Sequence, residues 1–144
     1  MLDVEGRRPE FYLTAEPDQS RVLPCAPESV GVARRLVAAV LDRWGLSELT
    51  DPAVLIVSEL VTNAIVHAGA RTCGASIRVV VSRAEDDRVQ LAVTDLDRRP
   101  LTLVGETRPD QESGRGLALV AALSEDWGVN PRHWGKQVWA VLAA

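Results

Sequence analysis

The chain has 144 residues, of which 47% are hydrophobic and 25% charged, and its formal net charge is -4. These values fit one soluble globular domain with its own hydrophobic core, and no apolar run approaches the roughly 20 residues that a membrane-spanning helix requires. The acidic balance and the scattered arginines argue against direct nucleic-acid binding, which needs a concentrated basic patch. The charged N-terminal residues lack the apolar segment of a secretion signal, so we expect a cytoplasmic protein.

The first half of the chain predicts a strand followed by two helices. We expect residues 1–9 to form a flexible tail and residues 10–144 to form a single domain. The alternation over 11–16 indicates an edge strand. Apolar residues at helical spacing predict a helix over 27–45, which a proline opens and a glycine ends. A second helix is predicted over 51–69, with an aspartate as its N-cap.

The second half predicts two hairpins, with a long loop and a third helix between them. Strands over 75–83 and 88–95 are separated by an acidic turn. Residues 96–113 lose all periodicity and predict a loop, and the glycine-rich segment 113–123 then turns from loop into helix. A closing hairpin has its turn at 130–135. This order of elements predicts an α+β fold in which helices cover one face of a largely antiparallel sheet.

A polar stripe interrupts the second predicted helix. Glu59, Asn63 and His67 follow one another at one-turn spacing among apolar residues. Glu59 could act as a base, and the side-chain oxygen of Asn63 could ligate a hard cation such as Mg²⁺. Taken alone, the stripe is more typical of the solvated face of an amphipathic helix. His67 is more typical of a capping or packing residue than of a ligand.

Two further features lie where a nucleotide site could form. Asp95 offers an exposed carboxylate at the end of an apolar strand. Gly114, Arg115 and Gly116 run from a loop into a helix N-terminus, where free N–H groups and the helix dipole favour an anion. Each feature alone is weak, because such glycines often only permit a tight turn and such an aspartate is commonly a turn residue. Together, a carboxylate, a cation ligand and a phosphate cradle predict a nucleotide site.

In this order the segments resemble the GHKL ATP-binding superfamily, which includes histidine kinases, type II topoisomerases and anti-sigma factor serine kinases. The stretch ELVTNAIVHA is similar to the N box, VTDLDRRP stands at the first glycine box, and SGRGLALV is similar to the second. The closing stretches DWGV and GKQVWAVL resemble the small single-domain branch of anti-sigma regulatory factors found in actinobacteria. The resemblance implies a Bergerat fold, a two-layer sandwich in which a mixed, mostly antiparallel sheet carries helices on one face.

The resemblance also implies roles for the residues of the helix and the strand. Asn63 would ligate Mg²⁺ at the phosphates of ATP, and Glu59 would orient or deprotonate the attacking hydroxyl group. Asp95 would accept a hydrogen bond from the adenine amino group.

The second glycine box would complete the ATP site. Gly114 and Gly116 would bring backbone amides to the phosphates, and Leu117 would pack the helix behind them. Arg115 could add positive charge at the phosphates or face solvent.

The function implied is an anti-sigma factor that binds a sigma factor and, with ATP and Mg²⁺, phosphorylates an anti-anti-sigma antagonist as a serine/threonine protein kinase. Members of this branch often form homodimers. The sequence departs from the first glycine box, DxGxG, because Asp97 replaces a glycine that lets the backbone pass close to adenine. This departure favours the alternative, an ATP-sensing or protein-binding regulatory module without kinase turnover.

Overall fold

The computed structural model describes residues 19–66, 76–84, 86–95, 112–132 and 135–144. The elements follow in the order β1 (Gln19–Pro24), α1 (Glu28–Arg43), a short 3₁₀ helix (Ser47–Leu49), α2 (Thr50–Ala64), β2 (Ser76–Arg83), β3 (Arg88–Asp95), α3 (Glu112–Leu123), β4 (Asp126–Arg132) and β5 (Gly135–Ala143). Within the described ranges, no helix combines the length and the apolar character needed to cross a membrane.

The five strands form one antiparallel sheet in the order β1-β2-β3-β5-β4. Strands β2 and β3 form the first predicted hairpin, and β4 and β5 form the second. Because β5 inserts between β3 and β4, both β3 and β5 have a neighbour on each side, whereas β1 and β4 are the outer strands of the described sheet. The position of β4 explains why it tolerates Pro131, since an outer strand need not donate every N–H group.

The helices and one face of the sheet enclose the main core. Alternate residues of β2, β3 and β5 point to this face and pack with the buried sides of α1 and α2. The sheet contributes Ile77, Val79, Val81, Val89, Leu91, Val93, Val138, Ala140 and Leu142 to this core. Burying a valine or leucine side chain stabilises a fold by roughly 1.5–3 kcal/mol, so this layer is the main source of stability. The predicted α+β architecture is confirmed.

The first described strand, β1, was not predicted from the sequence. In β1, Leu23 lies opposite Ile77 of β2 and is the one buried residue of the strand. No apolar alternation therefore marks β1 in the sequence, and only its pairing with β2 defines it as a strand. The strand predicted over 11–16 and the tail predicted over 1–9 lie outside the described residues.

The start predicted for the second helix is wrong by a small shift. Leu49 occupies the N-cap position of α2, and Asp51 lies in the first turn instead. There its carboxylate still interacts favourably with the positive end of the helix dipole. The α-helical part ends at Ala64, and a wider helical turn continues through Val66. The predicted end at Gly69 lies outside the described residues.

The closing hairpin is tighter than predicted. Strand β4 continues to Arg132, and β5 begins at Gly135. Residues 130–132 were expected to belong to the turn, but Asn130 pairs with Gln137 and Pro131 pairs with Lys136 across the hairpin. Strand pairing therefore outweighs the preference of these residue types for turns.

Candidate functional site

Glu59 and Asn63 lie one turn apart on α2, but their side chains have different surroundings. Glu59 is half-buried, whereas Asn63 is only 7% exposed. Asn63 lies with the buried residues of the helix, so it does not belong to a solvated face. A buried amide is costly unless it has a polar partner, so its burial favours a binding site over a solvated face. His67 lies outside the described residues.

The carboxylate of Glu59 lies directly against α3 at Gly116. A Cβ atom built on Gly116 would overlap Oε1 of Glu59 and would lie 3.5 Å from its Cδ. Gly116 is itself buried between the two helices. The missing side chain therefore leaves the space in which the Glu59 carboxylate sits.

The segment predicted to cradle phosphate is helical. Because α3 begins at Glu112, Gly114 and Gly116 lie in its first two turns, and the prediction of a loop over these residues is wrong. Glycine disfavours a helix by about 1 kcal/mol relative to alanine, but packing against α2 outweighs this preference. Leu117 packs against the core.

The start of α3 changes which backbone amides are available to an anion. The first four N–H groups of an α-helix have no partner within the helix. In α3, whose first helical residue is Glu112, they include the amides of residues 112–114 and so that of Gly114. The amides of Arg115 and Gly116 lie further along and are used inside the helix.

Asp95 is the last residue of β3 and lies on the helix-covered face of the sheet. It pairs with Ile77 of β2, whose side chain belongs to the core, and it follows the alternation of Val93. Its side chain is 6% exposed. The prediction of an exposed carboxylate at this strand end is therefore wrong, because the carboxylate of Asp95 is buried.

Lys136 of β5 is a buried lysine that no sequence motif marks as a site residue. The described pairing of β3 with β5 ends with Thr94 opposite Gln137, and one more antiparallel step brings Asp95 opposite Lys136. Lys136 is also 6% exposed. Its signal in the sequence is a lysine in front of the apolar run VWAVL, but only the strand register shows which residue it faces.

A line of polar side chains supports the end of β3 from the opposite face of the sheet. Nε2 of Gln137 donates a hydrogen bond to Oγ1 of Thr94 at 3.5 Å, and Nδ2 of Asn130 donates to Oε1 of Gln137 at 3.2 Å. All three residues are buried or half-buried. The line joins β3, β5 and β4 next to Asp95 and so restricts the position of its backbone.

The predicted site residues come from elements that pack together. Helix α2 packs against both β3, which carries Asp95, and α3, and Glu59 of α2 lies directly against Gly116 of α3. The region offers two carboxylates, an amide oxygen and the N-terminal end of a helix. Within the described ranges, no group of three or more His, Cys, Asp or Glu residues could hold a metal ion. Asp97 lies outside those ranges.

The sequence matches a known protein family and two relatives. The chain matches the family described as histidine kinase-like ATPase domain over residues 23–142. It is 30% identical over 123 residues to the serine-protein kinase RsbW of Oceanobacillus iheyensis, a match that covers 77% of each protein. It is also 42% identical over 76 residues to an uncharacterized protein of Streptomyces coelicolor, covering 52% of this chain and 70% of that protein.

Two solved structures share the fold. One contains the RsbU and RsbW domains of Rv1364c from Mycobacterium tuberculosis, with a TM-score of 0.67, 19% identity and coverage of 89% of this chain and 32% of that chain. The other is the histidine kinase domain from the Erythrobacter litoralis EL346 blue-light activated histidine kinase, with a TM-score of 0.55, 19% identity and coverage of 83% and 61%. This chain thus spans about a third of the mycobacterial structure and less than two thirds of the other. The fold, and the family match over residues 23–142, lead to one conclusion: the chain belongs to the histidine kinase-like ATPase domain family.

Proposed function

We propose that this chain is an ATP-binding anti-sigma factor with serine/threonine protein kinase activity toward an anti-anti-sigma antagonist. The observation that carries the proposal is the packing of the Glu59 carboxylate against Gly116, because it puts a base beside the helix whose free amides can hold phosphates. The family is that of an ATPase domain, and the Oceanobacillus relative is a serine-protein kinase. Both support ATP as the phosphoryl donor and a serine as the acceptor.

The residues proposed for the site have the chemistry that ATP binding requires. The buried carboxylate of Asp95 would accept a hydrogen bond from the adenine amino group. The free amides of residues 112–114, which include Gly114, would receive phosphate oxygens at the positive end of α3, and Arg115 could add positive charge there. Asn63 offers the amide oxygen that would hold Mg²⁺, an ion that is commonly bound by few protein ligands together with substrate phosphates.

Glu59 would take part in the transfer step. As the serine oxygen of the antagonist bonds to the γ-phosphorus, the serine hydroxyl would lose its proton to Glu59, and the bond from that phosphorus to ADP would break. Mg²⁺, when bound, would offset the negative charge of the phosphates. The position of Glu59 against α3 would keep its carboxylate close to the reacting hydroxyl.

The kinase proposal is tested by incubating the protein with labelled ATP, Mg²⁺ and candidate antagonist domains. We expect label on an antagonist serine with the wild type, and a loss of roughly 100-fold or more in rate with Glu59→Gln and with Asn63→Ala. Thr62→Ala is the matched control, since Thr62 lies on the same helix but is exposed. If the wild type transfers no more label than Asn63→Ala, the protein is not a kinase of this type.

A second candidate function is an ATP-sensing or protein-binding module without turnover. The observation that favours it is Asp97, which replaces a glycine of the first glycine box. Calorimetric titration with ATP and Mg²⁺ separates the possibilities. Binding without transfer would indicate a sensor, and no heat at millimolar ATP would leave a protein-binding module.

We also propose that the protein binds a sigma factor, acts in the cytoplasm and can form a homodimer, as the resemblance to anti-sigma regulatory factors implies. Size-exclusion chromatography with light scattering measures both associations. A mass of twice the chain supports the homodimer, and a heavier species with a candidate sigma factor supports the partner. A monomer mass at every concentration tested, with or without sigma factors, would contradict both associations.

A further inference from the structure

The outer face of the sheet, which points away from the helices, is buried at its centre. Trp139 of β5 is only 4% exposed there, and it packs with Ala92 and Val141 in a small apolar cluster. No described element lies over this face, because α1, α2 and α3 contribute their apolar residues to the core on the other side. An antiparallel sheet face without a cover leaves its side chains in contact with water. Since this burial arises within a single chain, another part of the same chain must cover Trp139.

The strand register shows the shape of the covered surface. One row of residues crosses the outer face at right angles to the strands, and the successive pairings join Ser20 of β1 to Val80, Ala92, Trp139 and Gly128 of β4. This apolar row is most exposed at β1 and least exposed at β3 and β5. Polar side chains border most of the row, and these are Arg78, Thr94, Gln137, Asn130, Ser82 and Gln90. A segment that covers the row should therefore cross the strands and carry apolar side chains.

Residues 11–18, the covering segment, lie at the right place in the chain. They directly precede Gln19, the neighbour of Ser20 at the exposed end of the apolar row. Residues 67–75 and 96–111 each adjoin a helix, α2 or α3, on the other side of the sheet, and only two residues separate β4 from β5.

The length and composition of the covering segment also suit the apolar row. Neighbouring strands lie about 4.8 Å apart, so Trp139 lies roughly 14 Å from β1, a distance that about five extended residues span. Phe11, Tyr12 and Leu13 lie six to eight residues before Gln19. Three bulky apolar side chains in succession can therefore reach the centre of the row.

A buried acceptor on the outer face also calls for a partner. Asn130 is 2% exposed, and its Nδ2 donates to Oε1 of Gln137. Its Oδ1 is buried and has no hydrogen-bond partner among the described residues. Such an oxygen is costly to bury unless a donor meets it. A segment that crosses β5 toward β4 can supply this donor from a backbone N–H group.

We propose that the covering segment folds back from β1 across the outer face, with residues 11–13 packed against Trp139. This position differs from the edge strand that the alternation over 11–16 predicts, because a strand beside β1 would leave Trp139 uncovered. The covering segment keeps the apolar row away from water and from the same face of a second chain. The proposal does not depend on nucleotide binding or on kinase activity.

Nuclear Overhauser effects in the unmodified chain test the contact. Phe11 and Tyr12 are the only phenylalanine and tyrosine in the sequence, so their ring protons are identified without a variant. We expect cross-peaks between these rings and the indole protons of Trp139, which are assigned from the signals lost in Trp139→Phe. Rings that contact only β1, or no part of the sheet, would overturn the proposal.

A second measurement identifies the cover of Trp139. The protein is labelled with 5-fluorotryptophan, and the broadening of the Trp139 fluorine signal by a soluble gadolinium chelate reports the exposure of the ring. We expect little broadening in the wild type. Broadening should rise several-fold when Phe11→Ser, Tyr12→Ser and Leu13→Ser are combined, because serine side chains cannot replace the lost apolar contacts.

The matched control combines Leu2→Ser and Val4→Ser, which remove apolar side chains from the same end of the chain but outside the covering segment. This variant should protect Trp139 as the wild type does. Protection that survives the triple change would identify a different cover, and protection that is lost on dilution would identify a second chain. Either result would overturn the proposal. If the triple variant does not fold, the cross-peaks of the unmodified chain still decide.

Discussion

Two helical glycines differ in what a methyl group added to them would contact. A Cβ atom on Gly31 of α1 would meet Nη1 of Arg35 at 3.5 Å, an ordinary van der Waals contact. A Cβ atom on Gly116 of α3 would overlap Oε1 of Glu59. The overlapping atom is the end of a flexible side chain, so the carboxylate can move aside at little cost in stability. Gly116 is therefore required by the position of Glu59 more than by the fold.

We predict that Gly116→Ala lowers the rate of phosphoryl transfer roughly 10-fold to 100-fold, because the methyl group displaces the Glu59 carboxylate. The Tm should change little, since alanine favours a helix over glycine by about 0.5–1 kcal/mol and offsets the new contact. The matched control, Gly31→Ala, should raise the Tm slightly without any change in rate. Initial rates and differential scanning calorimetry measure these effects. Equal rates for the two variants would show that Gly116 has no part in positioning Glu59.

The sequence indicates candidate site residues but not their surroundings. The one-turn spacing of Glu59 and Asn63 and the order of the motifs were enough to indicate a nucleotide site. Helical periodicity predicts a solvated position for Asn63, whereas the buried face of α2 is wide enough to include it. Lys136 could not be found in this way, since its neighbour Asp95 lies 41 residues earlier and becomes adjacent only through the strand register.

At the scale of the elements, the β4–β5 hairpin is held by a close contact between a glycine and a tryptophan. Gly128 pairs with Trp139, and a Cβ atom on Gly128 would lie 2.7 Å from Cζ2 of the indole ring. Trp139 is buried with Ala92 and Val141 on the sheet face opposite the main core. A rigid ring in a packed site cannot move aside as the Glu59 carboxylate can.

We predict that Gly128→Ala destabilises the protein by about 1–3 kcal/mol, the usual cost of an overpacked site. Adding Trp139→Phe should recover part of this loss, because the smaller ring makes room for the methyl group. Urea unfolding of the two single variants and the double variant measures the coupling. A Gly128→Ala variant as stable as the wild type would mean that the hairpin adjusts without strain.

Helices and strands were predicted well where the spacing of apolar residues agrees with the tertiary contacts. The β2–β3 hairpin and α1 have clear periodicities, and the structure confirms them. The start of α3 was missed because Gly114 and Gly116 disfavour a helix locally, while packing against Glu59 and α2 permits one. Strand β1 was missed because a strand with one buried residue has no alternation to detect.

For the whole molecule, the strand order sets where stability is greatest. Strands β2, β3 and β5 are paired on both sides, whereas β1 has one described neighbour. We predict that amide protons of these three strands exchange most slowly with solvent, and that those of β1 exchange at least tenfold faster, because an outer strand can open without unfolding the core. Hydrogen exchange followed by NMR tests this order. Equal protection of β1 and β3 would indicate that the sheet opens only as one unit.

The core between the layers should respond strongly to the loss of a single side chain. We predict that Leu142→Ala, which empties a buried position of β5, costs about 2–5 kcal/mol. Val22→Ala on β1 is the control, since Val22 is 50% exposed, and it should cost well under 1 kcal/mol. Both values come from denaturant unfolding. A small effect of Leu142→Ala would mean that neighbouring side chains collapse into the space.

The insertion of β5 between β3 and β4 has a consequence for protein synthesis. Of the described elements, β5 is the last to leave the ribosome, yet it pairs with both β3 and β4, and Lys136 lies near its beginning. Until then β3 lacks one of its two neighbours, and Asp95 lacks the strand opposite it. Helix α2 and strand β3, although made much earlier, cannot form a complete nucleotide site on the nascent chain. Any binding of ATP by this chain should therefore be a post-translational event that reports a fully assembled sheet.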